Sequence, residues 1–181
     1  AGEQYCQQGH ADKGIFSIYF FNLVHVNPGD CVFQDAGIPH AYLEGQNVEI
    51  MANSDNVLRG GLTAKHVDVA ELMKHTRCEG ITPQLLKPLI GKGPIHWIQT
   101  PVTDFKLGTV SVSAGGTVTL SAGEPGFLLC LNGVVELSSG DINLTLQQGQ
   151  IVAFWDGSIP VTLSSAGTTE VFVATSGIHT S

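Results

Sequence analysis

From residue 96 onward the chain is a train of short apolar runs separated by turn residues at nearly regular spacing. The runs fall at 96–100, 105–112, 117–121, 127–131, 134–137, 142–146, 151–155, 161–164 and 170–175. Segments this short and this alternating cannot be helices; they pair as strands with one face buried. Many such strands must close on themselves, as a barrel or jelly roll, to hide their edges. Asn132-Gly133 between two apolar runs carries the residues of a hairpin turn, and 138–141 is a second turn. Charged residues are only 13% of the 181-residue chain and hydrophobic residues 43%. A chain of that length and composition is globular and buries a core without staples.

The first half is less regular. Residues 15–26 are aromatic and β-branched and read as a strand containing His25, followed by a turn at Asn27-Pro28-Gly29-Asp30. A short run at 31–33 follows. Residues 47–52 alternate apolar and polar and read as another strand. The single helix expected lies at 68–78. Asp68 caps it, Glu71 stands three residues on as in a capping box, and Val69, Leu72 and Met73 share a face. Pro83, Pro88 and the Gly91–Pro94 run make a connection. The expected organisation is therefore 1–80, a linker at 81–95, and a barrel at 96–181.

Eight basic against sixteen acidic residues leave a net charge of -8, which argues against a phosphate-tracking nucleic-acid surface. No stretch is long and apolar enough for a membrane span. Cys6, Cys31, Cys78 and Cys130 include no CxxC pair; Cys31 and Cys130 sit in apolar runs and read as buried thiols. The polar start is no signal peptide, and without an initiator Met the natural start cannot be assumed.

One span carries most of the chemistry. Between Gly37 and Lys65 lie His40, a Glu49 expected to be buried, the polar group Asn53-Ser54-Asp55-Asn56, and Arg59. Such groups are costly among apolar neighbours unless paired or bound to something. A weak repeat frames the span: residues 28–40 resemble 148–160, with Gly29 and Gly37 matched by Gly149 and Gly157. The first copy ends in His40; the second continues into Val161.

Gly29, Asp35, Gly37 and His40 follow the spacing of the second cupin motif, with Asp35 where that motif usually has proline. The fold this implies is all-β, a double-stranded β-helix or jelly roll, in two barrel-related units, the first incomplete, with one short helix between them. In cupins the motif's His is a metal ligand inside the barrel; a hydrogen-bonded core His is the alternative that spacing alone leaves open.

The blocks PHAY at 39–42, VEIMANSDNV at 48–57 and RGGLTAKHVDV at 59–69 closely resemble the type I phosphomannose isomerases. Ala64 stands where that family usually has proline. The resemblance is strong over 15–75 and looser over 94–181. It implies interconversion of mannose 6-phosphate and fructose 6-phosphate through a cis-enediol(ate), with zinc. It implies that His40 is the zinc ligand, that Arg59 stabilises negative charge, and that Lys65 holds phosphate or assists proton transfer. Tyr42 and Glu49 would line the same substrate pocket. Each has a structural alternative: Glu49 paired with Arg59, Tyr42 as a rim aromatic, Lys65 as a solvated charge, residues 53–56 as a turn. His66 and His75 are expected at the surface.

The family's other zinc ligands, a Gln, a His and a Glu, come from an earlier segment with a Gln-x-His pattern. Nothing here matches it, and no His occurs between His96 and His179. The second barrel is therefore expected to be metal-free. The chain reads as the C-terminal portion of such an isomerase, inactive alone, in a cytoplasmic setting, with sugar phosphate as its partner and a homodimer through open sheet edges. The rival reading is a non-catalytic cupin-like sugar-binding or assembly module.

Overall fold

The computed structural model describes residues 11–54, 56–89, 91, 93–121 and 123–177. Cys6, His10, Asp55 and His179 lie outside them. The chain forms two compact units: residues 1–48 with 53–85, and residues 49–52 with 86–181.

The second unit realises the strand train. It contains β3 (His96–Ile98), β4 (Phe105–Val112), β5 (Thr117–Leu120), β6 (Gly126–Asn132), β7 (Val134–Ser139), β8 (Ile142–Gln147), β9 (Ile151–Phe154), β10 (Val161–Ser164) and β11 (Thr169–Ser176). They form two antiparallel sheets, one in the order β5-β10-β7-β8 and the other β3-β4-β11-β6-β9. Period-two alternation sets their faces. In β11, Thr169, Val171, Val173 and Thr175 are buried while Glu170, Phe172 and Ala174 are less so. Val171, Val173, Val135 and Leu163 are fully buried in the core between the sheets. Each such side chain contributes about 1.5–3 kcal/mol by leaving water.

The turn at 138–141 joins β7 and β8 as a paired hairpin. Asn132-Gly133 does not make one. β6 pairs with β11 and β9, whereas β7 pairs with β10 and β8, so the chain crosses between sheets here. Gly133 has φ +71° and lies against Thr169, where a Cβ would be 2.9 Å from Oγ1. The glycine is needed for a corner. The carbonyl of Val134 then accepts from the hydroxyls of Ser165 at 2.6 Å and Thr169 at 3.2 Å, fixing the new direction.

The first unit departs further from expectation. Residues 15–26 form no strand. A 3₁₀ turn at Lys13–Phe16 runs into α1 (Ser17–Phe20), and the rest is irregular. Asp12 caps the turn, accepting from the Gly14 amide at 2.7 Å. Tyr19, Phe20 and Leu23 are well exposed, so the run has strand composition without a sheet to join. Residues 47–52 also lack a ladder, although Val48 and Ile50 are less exposed than Asn47, Glu49 and Met51. A short β1 (Cys31–Val32) pairs with β2 (Leu85–Leu86).

The expected helix is present as α2 (Val69–His75). Asp68 accepts from the Glu71 amide at 2.9 Å, the expected cap. The reciprocal half of the capping box is replaced: the Glu71 carboxylate accepts from Lys74 at 2.7 Å and meets His75 at 2.9 Å. The proposed apolar face is not buried, since Val69 and Met73 are exposed and only Leu72 is half-buried. Cys130 is buried as expected, whereas Cys31 is only half-buried. Among the described residues no helix is long and apolar enough to cross a membrane.

Candidate functional site

The weak sequence repeat is a real repeat of backbone geometry. At the first copy the Asp30 amide donates to Asn27 O at 2.9 Å, and the Asn27 amide donates back to the Asp30 carboxylate at 2.9 Å. At the second copy the Gln150 amide donates to Gln147 O at 2.9 Å, and the Gln147 amide donates to the Gln150 side chain at 2.8 Å. Gly29 and Gly149 both take positive φ, +89° and +81°, which explains the glycine at each. A strand follows each turn. A second turn then closes each copy, with Ile38 N bonded to Asp35 O and Ile159 N to Asp156 O. The Asp–Ile closing turn sits one residue later in the second copy. His40 emerges directly beyond the first.

The turn before His40 is anchored to the end of α2. The Arg77 amide donates to Gly37 O at 2.8 Å. The Arg77 guanidinium reaches Asp35 at 2.7 Å and Glu79 at 3.4 Å. That hydrogen bond from Arg77 holds the Asp35 carboxyl below its usual range. Asp35, the departure from the motif's proline, thus gains a partner of its own. Gly37 cannot be replaced freely: its φ is +76°, and a Cβ would sit 2.7 Å from His75 O.

The His40 ring is oriented by its own turn. Its Nδ1 lies 3.0 Å from Ile38 O. Donation from Nδ1–H to that carbonyl leaves Nε2 as the acceptor nitrogen, the tautomer a metal ligand requires. Tyr42 stands edge-on to the ring, with centroids 6.0 Å apart. Both side chains are exposed.

Arg59 and Lys65 bracket a strained loop. Gly61 has φ +125° and Leu62 has φ +49°, a left-handed conformation that a branched apolar residue rarely adopts. Asp12 holds it there. One carboxylate oxygen accepts from Gly14 and the other from the Leu62 amide at 3.0 Å, fifty residues away. Gly61 and Gly14 touch through bare backbone, since a Cβ on Gly61 would be 2.9 Å from Gly14 Cα. The Lys65 amide is tied to Thr63 Oγ1 at 3.1 Å. Arg59 is half-buried and the Lys65 side chain is exposed.

Glu49 falls in the segment grouped with the second unit and is exposed, not buried. The irregular backbone of 47–52 gives it no sheet face to be hidden by. Within the polar group at 53–56, the Asn56 amide donates to Ser54 Oγ at 3.2 Å, a side-chain turn. His25, His66 and His75 are all exposed. Sequence reasoning missed Asp12. Its neighbours gave no sign of it, and the only clue was Gly60-Gly61, which marks a backbone that needs room.

His40 by itself is not a metal centre. Among the described residues no group of three or more His, Cys, Asp or Glu side chains could hold a metal ion.

The paired sheets and the repeated turn-strand-turn define an all-β jelly roll of the cupin type. No family model matches the chain. Similar proteins are nonetheless clear. The mannose-6-phosphate isomerase of Escherichia coli (strain K12) is 41% identical over 123 residues, which is 67% of this chain and 31% of that protein. The human mannose-6-phosphate isomerase is 37% identical over 137 residues, 71% of this chain and 32% of that protein. A solved phosphomannose isomerase from Salmonella typhimurium, bound to fructose 6-phosphate and zinc, matches with a TM-score of 0.75 and 32% identity. It covers 93% of this chain and 42% of that structure. The chain is similar to the type I phosphomannose isomerases over their C-terminal portion. It spans about a third of the length of the curated relatives it matches.

Proposed function

We propose that this chain supplies one wall of a mannose-6-phosphate isomerase site, acting on mannose 6-phosphate and fructose 6-phosphate in the cytoplasm. The observation that carries the reading is His40. It follows the first copy of the repeated turn with Nδ1 turned to Ile38 O, so Nε2 is presented as a ligand nitrogen. In this reading the zinc would act as a Lewis acid on the substrate's oxygens, with His40 one ligand among donors that the described residues do not supply.

Aldose-ketose isomerisation moves a proton between C1 and C2 and places negative charge on oxygen in the enediolate. Arg59 can meet that charge with a fixed guanidinium. Its half-buried position raises the value of each such bond. Lys65, on the same loop, suits a phosphate oxygen or a proton relay. Tyr42 and Glu49 would bound the sugar. The barrel at 96–181 takes no part in metal binding.

The rival, a cupin-like sugar-binding or assembly module, draws on the missing ligand set. Zinc titration separates the two. The chain alone should bind zinc weakly. The chain joined to the remaining two thirds of the Escherichia coli relative should bind one zinc tightly, and His40→Ala should abolish that. A tight one-to-one site in the chain alone would overturn the division of ligands. Weak binding in the joined protein would favour the module.

A further inference from the structure

Among the described residues Leu62 is the only one other than glycine with positive φ, +49°. That conformation is unfavourable for leucine and persists only where the surroundings impose it; such outliers gather at functional sites. Here the imposing group comes from fifty residues upstream. Asp12 Oδ2 accepts from the Leu62 amide at 3.0 Å while Oδ1 accepts from the Gly14 amide at 2.7 Å. The backbone of Gly61 lies directly on that of Gly14. A Cβ added to Gly61 would stand 2.8 Å from Asp12 Oδ1 and 2.9 Å from Gly14 Cα, and one added to Gly14 would stand 3.0 Å from Gly61 Cα. Asp12, Gly14, Gly61 and Leu62 are all half-buried and belong to the first unit, so water competes poorly for these bonds.

The latch begins where Arg59 ends. Gly60 faces the Leu72 side chain of α2, with an added Cβ 4.0 Å from Cδ2; Gly61 rests on Gly14; Leu62 is bound to Asp12. Three consecutive residues after Arg59 are thus held by their surroundings. Among the described residues no carboxylate is paired with Arg59. Its half-buried guanidinium is therefore directed by the backbone that carries it. Both oxygens of Asp12 are engaged with backbone amides, so this carboxylate acts on the shape of the loop.

We infer that Asp12 is a positioning residue for the isomerisation, acting through the strained Gly61–Leu62 turn to aim Arg59 at the developing oxyanion. The inference rests on the charge-stabilising role proposed for Arg59. A donor stabilises a developing charge most when it is already in place and need not reorganise during the reaction. Leucine at positive φ drifts back to ordinary backbone geometry once the Asp12 bond is gone, and the guanidinium three residues away moves with it. A misplacement of about 1 Å is enough to lower a rate about 100-fold.

The test is a double-mutant cycle on kcat in the zinc-loaded protein joined to the rest of the Escherichia coli relative. Asp12→Ala should lower kcat about 10- to 100-fold, with the circular dichroism and the single bound zinc retained. Asp12→Asn, which keeps one acceptor oxygen, should recover part of that loss. In the Arg59→Ala background, Asp12→Ala should change kcat by less than about threefold, because the group it positions is gone. If Asp12→Ala does not fold, Asp12→Asn carries the same comparison. A loss of equal size in both backgrounds would make Asp12 a general support and overturn the inference. An unchanged kcat in Asp12→Ala, beside a lowered one in Arg59→Ala, would overturn it while leaving the role of Arg59 standing. An unchanged kcat in Arg59→Ala would sink that role and the inference together.

Discussion

Removing the Asp12 carboxylate tests how the Arg59–Lys65 loop is held. Asp12 accepts from Gly14 at 2.7 Å and from Leu62 at 3.0 Å. Hydrogen bonds to a charged group contribute about 1.5–3 kcal/mol each, and these two are partly buried, so the lower half of that range applies. Leu62 at φ +49° is strained in the closed loop of both proteins, so its strain cancels in the comparison. Asp12→Ala should therefore destabilise the closed loop by roughly 3–4.5 kcal/mol. At about 1.4 kcal/mol per decade, the Leu62 amide should exchange with solvent about 100- to 1,600-fold faster. Asp12→Asn keeps one acceptor oxygen and should fall between. Amide hydrogen exchange read at Leu62 and Gly14 is the assay, with a β11 amide such as Val173 as the unaffected reference. Exchange at Leu62 unchanged within about threefold would refute the reasoning, because the strained turn would then be held by something else.

Other expectations follow from the same geometry. Leu163 is fully buried between the sheets, and Leu163→Ala should cost about 2–5 kcal/mol in chemical denaturation of the second unit. Asp35 has its carboxyl lowered chiefly by the Arg77 hydrogen bond. Its contribution is present above the ordinary carboxylate pKa and is lost as pH falls through the lowered value. The turn before His40 should loosen only in strong acid, as an NMR titration of Asp35 and of the Gly37-bonded Arg77 amide would show; Arg77→Ala should move the Asp35 midpoint up.

Much of the second unit could be read from the sequence because alternation reports burial directly. All nine expected runs became strands within a few residues of their expected ends. Asn132-Gly133 misled because turn residues specify a bend and say nothing about which sheet the next strand joins. Residues 15–26 and 47–52 misled for a related reason. Strand composition records what a segment could pair with, and in the described residues neither segment has a partner strand. The family of the site was readable from the PHAY and RGGLT blocks. Its support was not. Asp12 and Leu62 are fifty residues apart, and nothing in a one-dimensional pattern links them. Asp35 stands where the motif usually has proline, and in the structure it is anchored through Arg77.

The central claim is that this chain provides the charge-stabilising and ligand-bearing wall of an isomerase. Isomerase turnover decides it, measured by coupled detection of fructose 6-phosphate formed from mannose 6-phosphate. The protein to use is this chain joined to the remaining part of the Escherichia coli relative, loaded with zinc. The joined protein should be active, and Arg59→Ala should lower kcat about 100- to 1,000-fold, the effect of losing a donor to a developing oxyanion, while KM changes little. An inactive joined protein, or an Arg59→Ala variant with unchanged kcat, would contradict the account.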